Sequence, residues 1–339
     1  MQDLASRRRA RAIWVGSCLL AIAFVVIAVS LNTGSIKIGP VTVVQTLFGY
    51  GTPDDELVLF EYRLPRIIIT MLAGIGLGIS GAILQAISRN ALADPGIIGL
   101  HAGSSFGLVV FVTLFSSMKG ASALMLPLFT FGGGIFATCL IILLANDRDR
   151  GLQPIRLLLV GIAIAAGFSA ITLYLSLRLD ENTYAFAARW LAGSVWGRDW
   201  VHVIALLPWI VLLVPYAWMR AQTLNLFSLG DTIATGVGEA VQRKRLLLLG
   251  CAVGLSGASV AMVGGIGFIG LVAPHLARRL VGPRQQHVLP ISGLVGLVIL
   301  VTSDTIGRSI FEPNAIPAGV VVAAVGAPYF LYLLVKTKS

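Results

Sequence analysis

Long apolar runs broken by short polar and basic segments set the pattern of this chain. Ten runs stand out, at 13–31, 65–88, 96–117, 121–145, 154–177, 201–219, 244–263, 266–281, 288–307 and 316–336. Most approach the roughly 20 residues that a helix needs to cross a hydrocarbon core about 30 Å thick. The run at 266–281 is short and ends in charge. Apolar residues do not alternate with polar ones, so the strands of a transmembrane barrel are excluded. The pattern predicts an all-α polytopic membrane protein with about ten transmembrane helices in one domain over 1–339.

The connections carry further expectations. Val41 to Tyr50 reads as a short interfacial helix, and Pro65 suits a first helical position, where a missing amide hydrogen costs nothing. Arg63 and Arg66 share one face of that helical entrance. They read either as lipid-phosphate anchors or as a docking point for a partner's carboxylates. Asp94 before Pro95 marks a helix start. Ala185 to Leu191 predicts another short helix ended by Gly193. Trp190, Trp196 and Trp200 are expected at interface depth, as an aromatic belt or a vestibule lining.

One polar segment is unlike the rest. Leu226 to Arg245 is glycine-rich and lies between two apolar runs. Leu229-Gly230-Asp231, followed by Ala234 and Gly238, predicts a short helix and a turn, with Asp231 as the N-cap of Thr232 to Val237. Gly236 and Gly238 are small enough to let another surface approach. A structured segment here, over about 220–245, reads as a handle for a cytoplasmic motor.

An internal repeat is visible. Gly78-Ile79-Ser80-Gly81-Ala82 recurs as Gly254-Leu255-Ser256-Gly257-Ala258, and Gly96-Ile97-Ile98-Gly99-Leu100 is answered by Gly267-Phe268-Ile269-Gly270-Leu271. The copies lie an odd number of spans apart, so they would have opposite orientations. Inverted repeats over about 65–177 and 244–336 are a transporter signature.

Composition agrees with the class. Apolar residues make up 57% and charged residues 12%, with a mean hydropathy of +0.89. A soluble domain carries about 25% charged residues. The net charge of +10 is uneven, with basic clusters at Arg7 to Arg11, Arg148 to Arg156, Arg243 to Arg245 and Arg278 to Arg284. By the positive-inside rule these clusters anchor topology, with both termini cytoplasmic. They are no sign of nucleic acid. Cys18, Cys139 and Cys251 fall within apolar runs, far apart, and form neither a disulfide pattern nor a metal motif.

Chemistry is conspicuous by its scarcity. His101, His202, His275 and His287 are scattered, and no GxxxxGK[ST] loop is present, so neither a metal, a cofactor nor an ATPase site is expected. The runs hold almost no ionisable residues, Asp304 near the end of the ninth excepted. Ion-coupled carriers usually need carboxylates inside the membrane. An ion-gradient carrier is therefore the weaker alternative, and a non-transporting membrane protein a third.

Several segments together resemble the FecCD family of ABC importer permeases, which carry iron-siderophores, haem and cobalamin. They are RLPR at 63–66, SGAILQAISRNALADPGIIGLHAG at 80–103, WLAGSVWGRDW at 190–200, LGDTIATGVG at 229–238, GGIGFIGLVAPHLARRLVG at 264–282 and IPAGVVVAAVGAPYFLYLL at 316–334. The form at 190–200 is most similar to ferric citrate and other ferric-siderophore permeases. The resemblance implies the inverted-repeat type II importer fold and a non-enzymatic permease of the inner membrane. It implies two cytoplasmic ATP-binding subunits, a second permease subunit (a paralogue rather than an identical copy) and a periplasmic binding protein. It further implies ATPase coupling through Leu229, Gly230, Asp231, Ala234 and Gly238, and binding-protein docking at Arg63, Arg66 and Arg308. Three departures stand out. Ala91 replaces the proline of an Asn-Pro-Leu segment, Gly265 that of Gly-Pro-Ile-Gly-Phe, and Val237 the leucine of a Leu-Gly pair.

Overall fold

The computed structural model describes residues 2–34, 38–115, 123–147, 151–310 and 315–336. The ends of the third and fourth apolar runs, together with Arg148, Arg150 and Lys338, lie outside them. The described chain is almost wholly helical. Its helices are α1 (Gln2–Asn32), α2 (Pro40–Leu47), α3 (Pro53–Glu56), α4 (Leu64–Ser88), α5 (Leu100–Leu114), α6 (Met125–Ala145) and α7 (Pro154–Ser176). They continue as α8 (Glu181–Leu191), α9 (Trp200–Met219), α10 (Ala221–Leu229), α11 (Asp231–Gly236) and α12 (Val241–Val263). The last three are α13 (Ile269–Val281), α14 (Gln285–Ser309) and α15 (Ala318–Lys336). A two-residue strand pair, β1 (Asn146–Asp147) and β2 (Gly151–Leu152), joins α6 to α7.

Each of the ten apolar runs contains one of these helices. Among the described residues seven helices are long and apolar enough to cross a membrane; α5 and α15 contribute shorter apolar stretches. Helix α13 has 13 residues and carries Arg278 and Arg279 in its last turn, which explains its ambiguous run. The second span starts earlier than its hydropathy indicates. A capping box on Thr52 and Asp55 starts a helix at Pro53 that continues through a π-helical stretch, Leu57–Arg63, into α4. The short helices at 40–47 and 181–191 match the expected ones within a few residues, the second capped by Asp180 on the Thr183 amide.

Helix α4 lies at the centre, packed against α14, α12, α13 and α9. Its small residues make that possible, because side-chain-free surfaces let helix backbones approach closely in a bilayer. A Cβ on Gly81 would overlap the Gly270 carbonyl of α13, and one on Gly74 would meet the Gly296 carbonyl of α14 at 2.6 Å. Ser80 donates to the Ala252 carbonyl of α12 at 2.8 Å, so the first Gly-x-Ser-Gly-Ala segment bonds to α12 two residues ahead of the second. By contrast, Leu20 and Phe24 on α1, and Leu159 and Ile162 on α7, face outward. Such faces carry no penalty in lipid.

One of the two departures from proline has a local reason. The turn at Ala91 is held by the Asn90 side chain, whose oxygen accepts from the Leu92 amide at 2.9 Å, a bond that does not depend on residue 91. At Gly265 the backbone amide donates to the Trp190 carbonyl at 3.3 Å, a bond that proline could not make.

Candidate functional sites at the two ends of the bundle

The polar segment folds into α10, the turn at Gly230, α11 and a short link to α12. Gly230 adopts φ +113 and Gly238 φ +84, a region costly for any residue with a side chain. Leu229 is exposed, while Ala234 is fully buried and anchors α11. Asp231 does not cap the helix, contrary to the sequence expectation. It is the first helical residue, and Gly230 is the cap with no side-chain bond. The carboxylate is engaged elsewhere: its Oδ1 accepts from Arg245 Nη2 at 2.6 Å and from Arg89 Nη2 at 3.1 Å.

Those two arginines come from α12 and from the end of α4. Arg245 is 1% exposed, faces the Phe227 ring and donates through Nη1 to the Leu152 carbonyl at 2.8 Å. Gln242, one turn earlier, accepts from the Leu152 amide at 3.2 Å. The β-hairpin is thus fastened to α12 by both of its peptide groups at Leu152. Arg245 is buried but the Asp231 side chain is 38% exposed, so solvent screens the pair and deleting one partner costs less than the roughly 3–5 kcal/mol of a fully buried one. The link between α11 and α12 has its own pin: Glu239 accepts from Lys244 and from the Thr223 hydroxyl. These two bonds, Lys244 first, hold the Glu239 carboxyl below its ordinary range.

At the opposite end Arg63, Arg66 and Arg308 gather around one cavity of about 470 Å³, also lined by Glu61, Trp196 and Arg198. They do not share one state. Arg63 and Arg308 are buried, and their guanidinium groups donate to carbonyls at the end of α1: Arg63 to Leu31, and Arg308 to Ser30 at 2.7 Å and Thr33 at 2.9 Å. A helix C-terminus leaves its last carbonyls without intrahelical partners and carries partial negative charge, so arginines suit it. Arg66 is partly exposed and grips Asp304 through Nη2 at 2.7 Å and Nε at 3.0 Å. Arg308 Nε lies 3.6 Å from the same carboxylate.

The tryptophans divide similarly. Trp190 is buried, Trp196 is exposed beside the arginine cavity, and Trp200 donates to the Phe60 carbonyl at 2.9 Å. Next to them Arg198 donates to the Met262 carbonyl at 2.7 Å, and burial pulls its pKa down to about 10. Burial works to raise the neighbouring Asp199. Hydrogen bonds from the His202 side chain and amide outweigh it and hold that carboxyl low. Sequence reading passed over Arg198, Arg89 and Arg245. Only the unexpected arginine at a helix end, where glycine is usual, could have singled out Arg89.

Among the described residues no cluster of His, Cys, Asp or Glu could hold a metal ion. The arrangement therefore offers two charged, hydrogen-bonded ends joined by tightly packed helices. Residues 20–336 match the FecCD transport family. The chain belongs to that family. It is 46% identical over 328 residues to the iron(3+)-hydroxamate import system permease protein FhuG of Bacillus subtilis, covering 94% of this chain and 97% of that one. It is 38% identical over 281 residues to the Fe(3+) dicitrate transport system permease protein FecD of Escherichia coli, covering 83% and 86%. Its fold is similar to the solved inward-facing structure of a metal-chelate type ABC transporter. That match has a TM-score of 0.81 and 30% identity, and covers 95% of this chain and 99% of the other. FecCD chains are transport permeases, and this one is a multi-pass helical membrane protein.

Proposed function

We propose that this chain is the permease subunit of an ATP-binding-cassette importer that carries ferric chelates, ferric siderophores foremost, into the cytoplasm. Whole-length likeness to hydroxamate and citrate permeases carries the reading. Two cytoplasmic ATP-binding subunits supply the energy, a second and paralogous permease completes the pathway, and a periplasmic or cell-surface binding protein delivers the cargo. Both termini lie in the cytoplasm, with α10 and α11 as the coupling element and Leu229, Gly230, Asp231, Ala234 and Gly238 at its heart. The arginine cavity then faces outward.

In this mechanism the binding protein's acidic groups meet Arg66 at the rim, while Arg63 and Arg308 hold the end of α1 beneath it. Nucleotide-driven closure of the ATPase pair moves α11, and the helices packed on α4 rearrange to pass the chelate. The chelator fills the iron's coordination sphere, so the permease itself needs no metal ligands.

The test is uptake of a radiolabelled ferric trihydroxamate into liposomes holding the chain, its paralogue and the ATPase, with binding protein outside. ATP-dependent accumulation supports the proposal. Equal accumulation without the ATPase overturns it.

A further inference from the structure

We propose that Arg89 and Arg245 are positioning residues of the transport reaction, clasping the coupling helix through the one carboxylate oxygen they share on Asp231. The inference rests on the reading of α11 as the ATPase-coupling element.

Besides the packing of buried Ala234 and the Glu239 pin, two routes could carry movement from α11 into the bundle. The first is the peptide chain, and it is soft. Towards α10 it passes through Gly230 at φ +113, and towards α12 through Gly238 at φ +84. Glycine resists rotation less than any other residue, so both joints are hinges. The second route is the side chain of Asp231. Its Oδ1 receives Arg245 Nη2 at 2.6 Å and Arg89 Nη2 at 3.1 Å. The Arg245 bond is a short charge-assisted one, among the strongest that side chains make, while the Arg89 bond is longer and joins two partly exposed groups, so it contributes less.

The anchors of that second route are well placed. Arg245 is buried at the start of α12 and also holds the Leu152 carbonyl, so the α6–α7 hairpin moves with it. Arg89 caps the end of α4, the central helix. It does so at φ 53, left-handed backbone that disfavours side chains and that glycine adopts freely. The rest of its guanidinium lies over Gly230, with Nη1 3.5 Å from where a Cβ would stand. The strain is tolerated where a reach to Asp231 is gained. Helices α4 and α12 in turn touch at Ser80 and Ala252, so displacement of one carboxylate reaches both partners of the central contact.

Substitution separates this role from a merely structural one. Arg89→Gly suits the backbone better than the native residue, so a structural role predicts a tolerated change. The positioning role predicts a loss of coupling. The measurement is ferric trihydroxamate imported per ATP hydrolysed by the complete transporter in liposomes. Side-chain changes along a coupling route shift it by about tenfold. Arg89→Gly and Asp231→Asn are expected to lower that ratio about tenfold each, and the double variant no further than Asp231→Asn alone. Arg89→Lys, which keeps the charge, is expected to recover most of it. Arg245 is left unchanged, because its burial invites a folding failure.

A cross-link from Ile233→Cys, exposed on α11, to the ATPase subunit is read in every background. No cross-link in the parent overturns the coupling reading itself. A cross-link with an unchanged ratio in Arg89→Gly, or with effects that multiply in the double variant, overturns the clasp alone.

Discussion

Arg66 and Asp304 lie 238 residues apart and meet through two guanidinium nitrogens, at 2.7 Å from Nη2 and 3.0 Å from Nε. The pair fastens the start of α4 to the far end of α14. Asp304 is buried, 3% exposed, and Arg308 approaches it from the next turn of its own helix. A carboxylate at membrane depth is often a proton or ion site. This one is neutralised by fixed positive charges, which agrees with a transporter driven from elsewhere.

Removal of that carboxylate is expected to be destabilising. Asp304→Ala leaves Arg66 and Arg308 facing each other without a counter-charge. Unpairing a buried charge costs about 3 kcal/mol or more. The melting temperature of the purified complex should fall accordingly. Arg66→Gln with Asp304→Asn should recover part of the loss, since a neutral pair leaves no stranded charge. Equal melting of Asp304→Ala and parent would show that the ion pair contributes nothing.

The three arginines near this cavity should separate by readout. Arg66 is partly exposed, whereas Arg63 and Arg308 are committed to the last carbonyls of α1. Arg66→Gln with Asp304→Asn, which strands no charge, is expected to abolish stimulation of the ATPase by binding protein while keeping most of the stability. Arg308→Gln should act first on stability, by about 1–3 kcal/mol for carbonyls left without donors. Stimulation titrated against binding-protein concentration, with melting measured in parallel, distinguishes the two. Replacement of all three by Glu with unchanged stimulation would reject docking at this face.

Much of this was legible in the sequence, and the reason differs by element. Membrane spans are written in runs of apolar residues, because lipid imposes one rule on every exposed side chain. Thus α1, α7 and α9 lie where hydropathy places them. The entry to α4 does not, because Pro53 to Arg63 mixes five charged residues with a short apolar run and its helix is set by the Thr52 capping box. The short helix and turn of the glycine-rich segment lie where spacing puts them, yet Asp231 is not the cap that spacing suggests. Local spacing suggests a cap, whereas Arg89 and Arg245, 142 residues before it and 14 after, compete for the same oxygen. Partnerships of that kind are tertiary and leave no periodic trace.

Acid should loosen the handle in a defined order. Bonds from Lys244, and then Thr223, depress the Glu239 pKa in the folded protein. A depressed carboxylate contributes stability that is present above its unfolded value, near 4.5, and is lost as pH falls through the folded value. Proteolysis between α11 and α12 in detergent-solubilised protein should therefore rise only below about pH 4.5. Glu239→Gln should show the raised cleavage already at neutral pH. A pH-independent cleavage rate in the parent would remove Glu239 as the pin.

Two neighbouring glycines of the handle should behave oppositely. Gly230 sits at φ +113 and ψ 156, an essentially glycine-only region, so Gly230→Ala is expected to cost about 1–3 kcal/mol. Gly236 is the last residue of α11, and a Cβ there meets nothing within 4 Å in this chain. Alanine favours helix by up to about 1 kcal/mol over glycine, so Gly236→Ala should leave melting unchanged or raised. If an ATPase cleft receives α11, a larger side chain at that open position is felt only in the assembly. Gly236→Leu should then keep the melting temperature of the isolated permease and weaken capture of the ATPase subunit about tenfold, equivalent to roughly 1.4 kcal/mol. Undiminished capture by Gly236→Leu would mean that the face of α11 around residue 236 is not the one the ATPase touches.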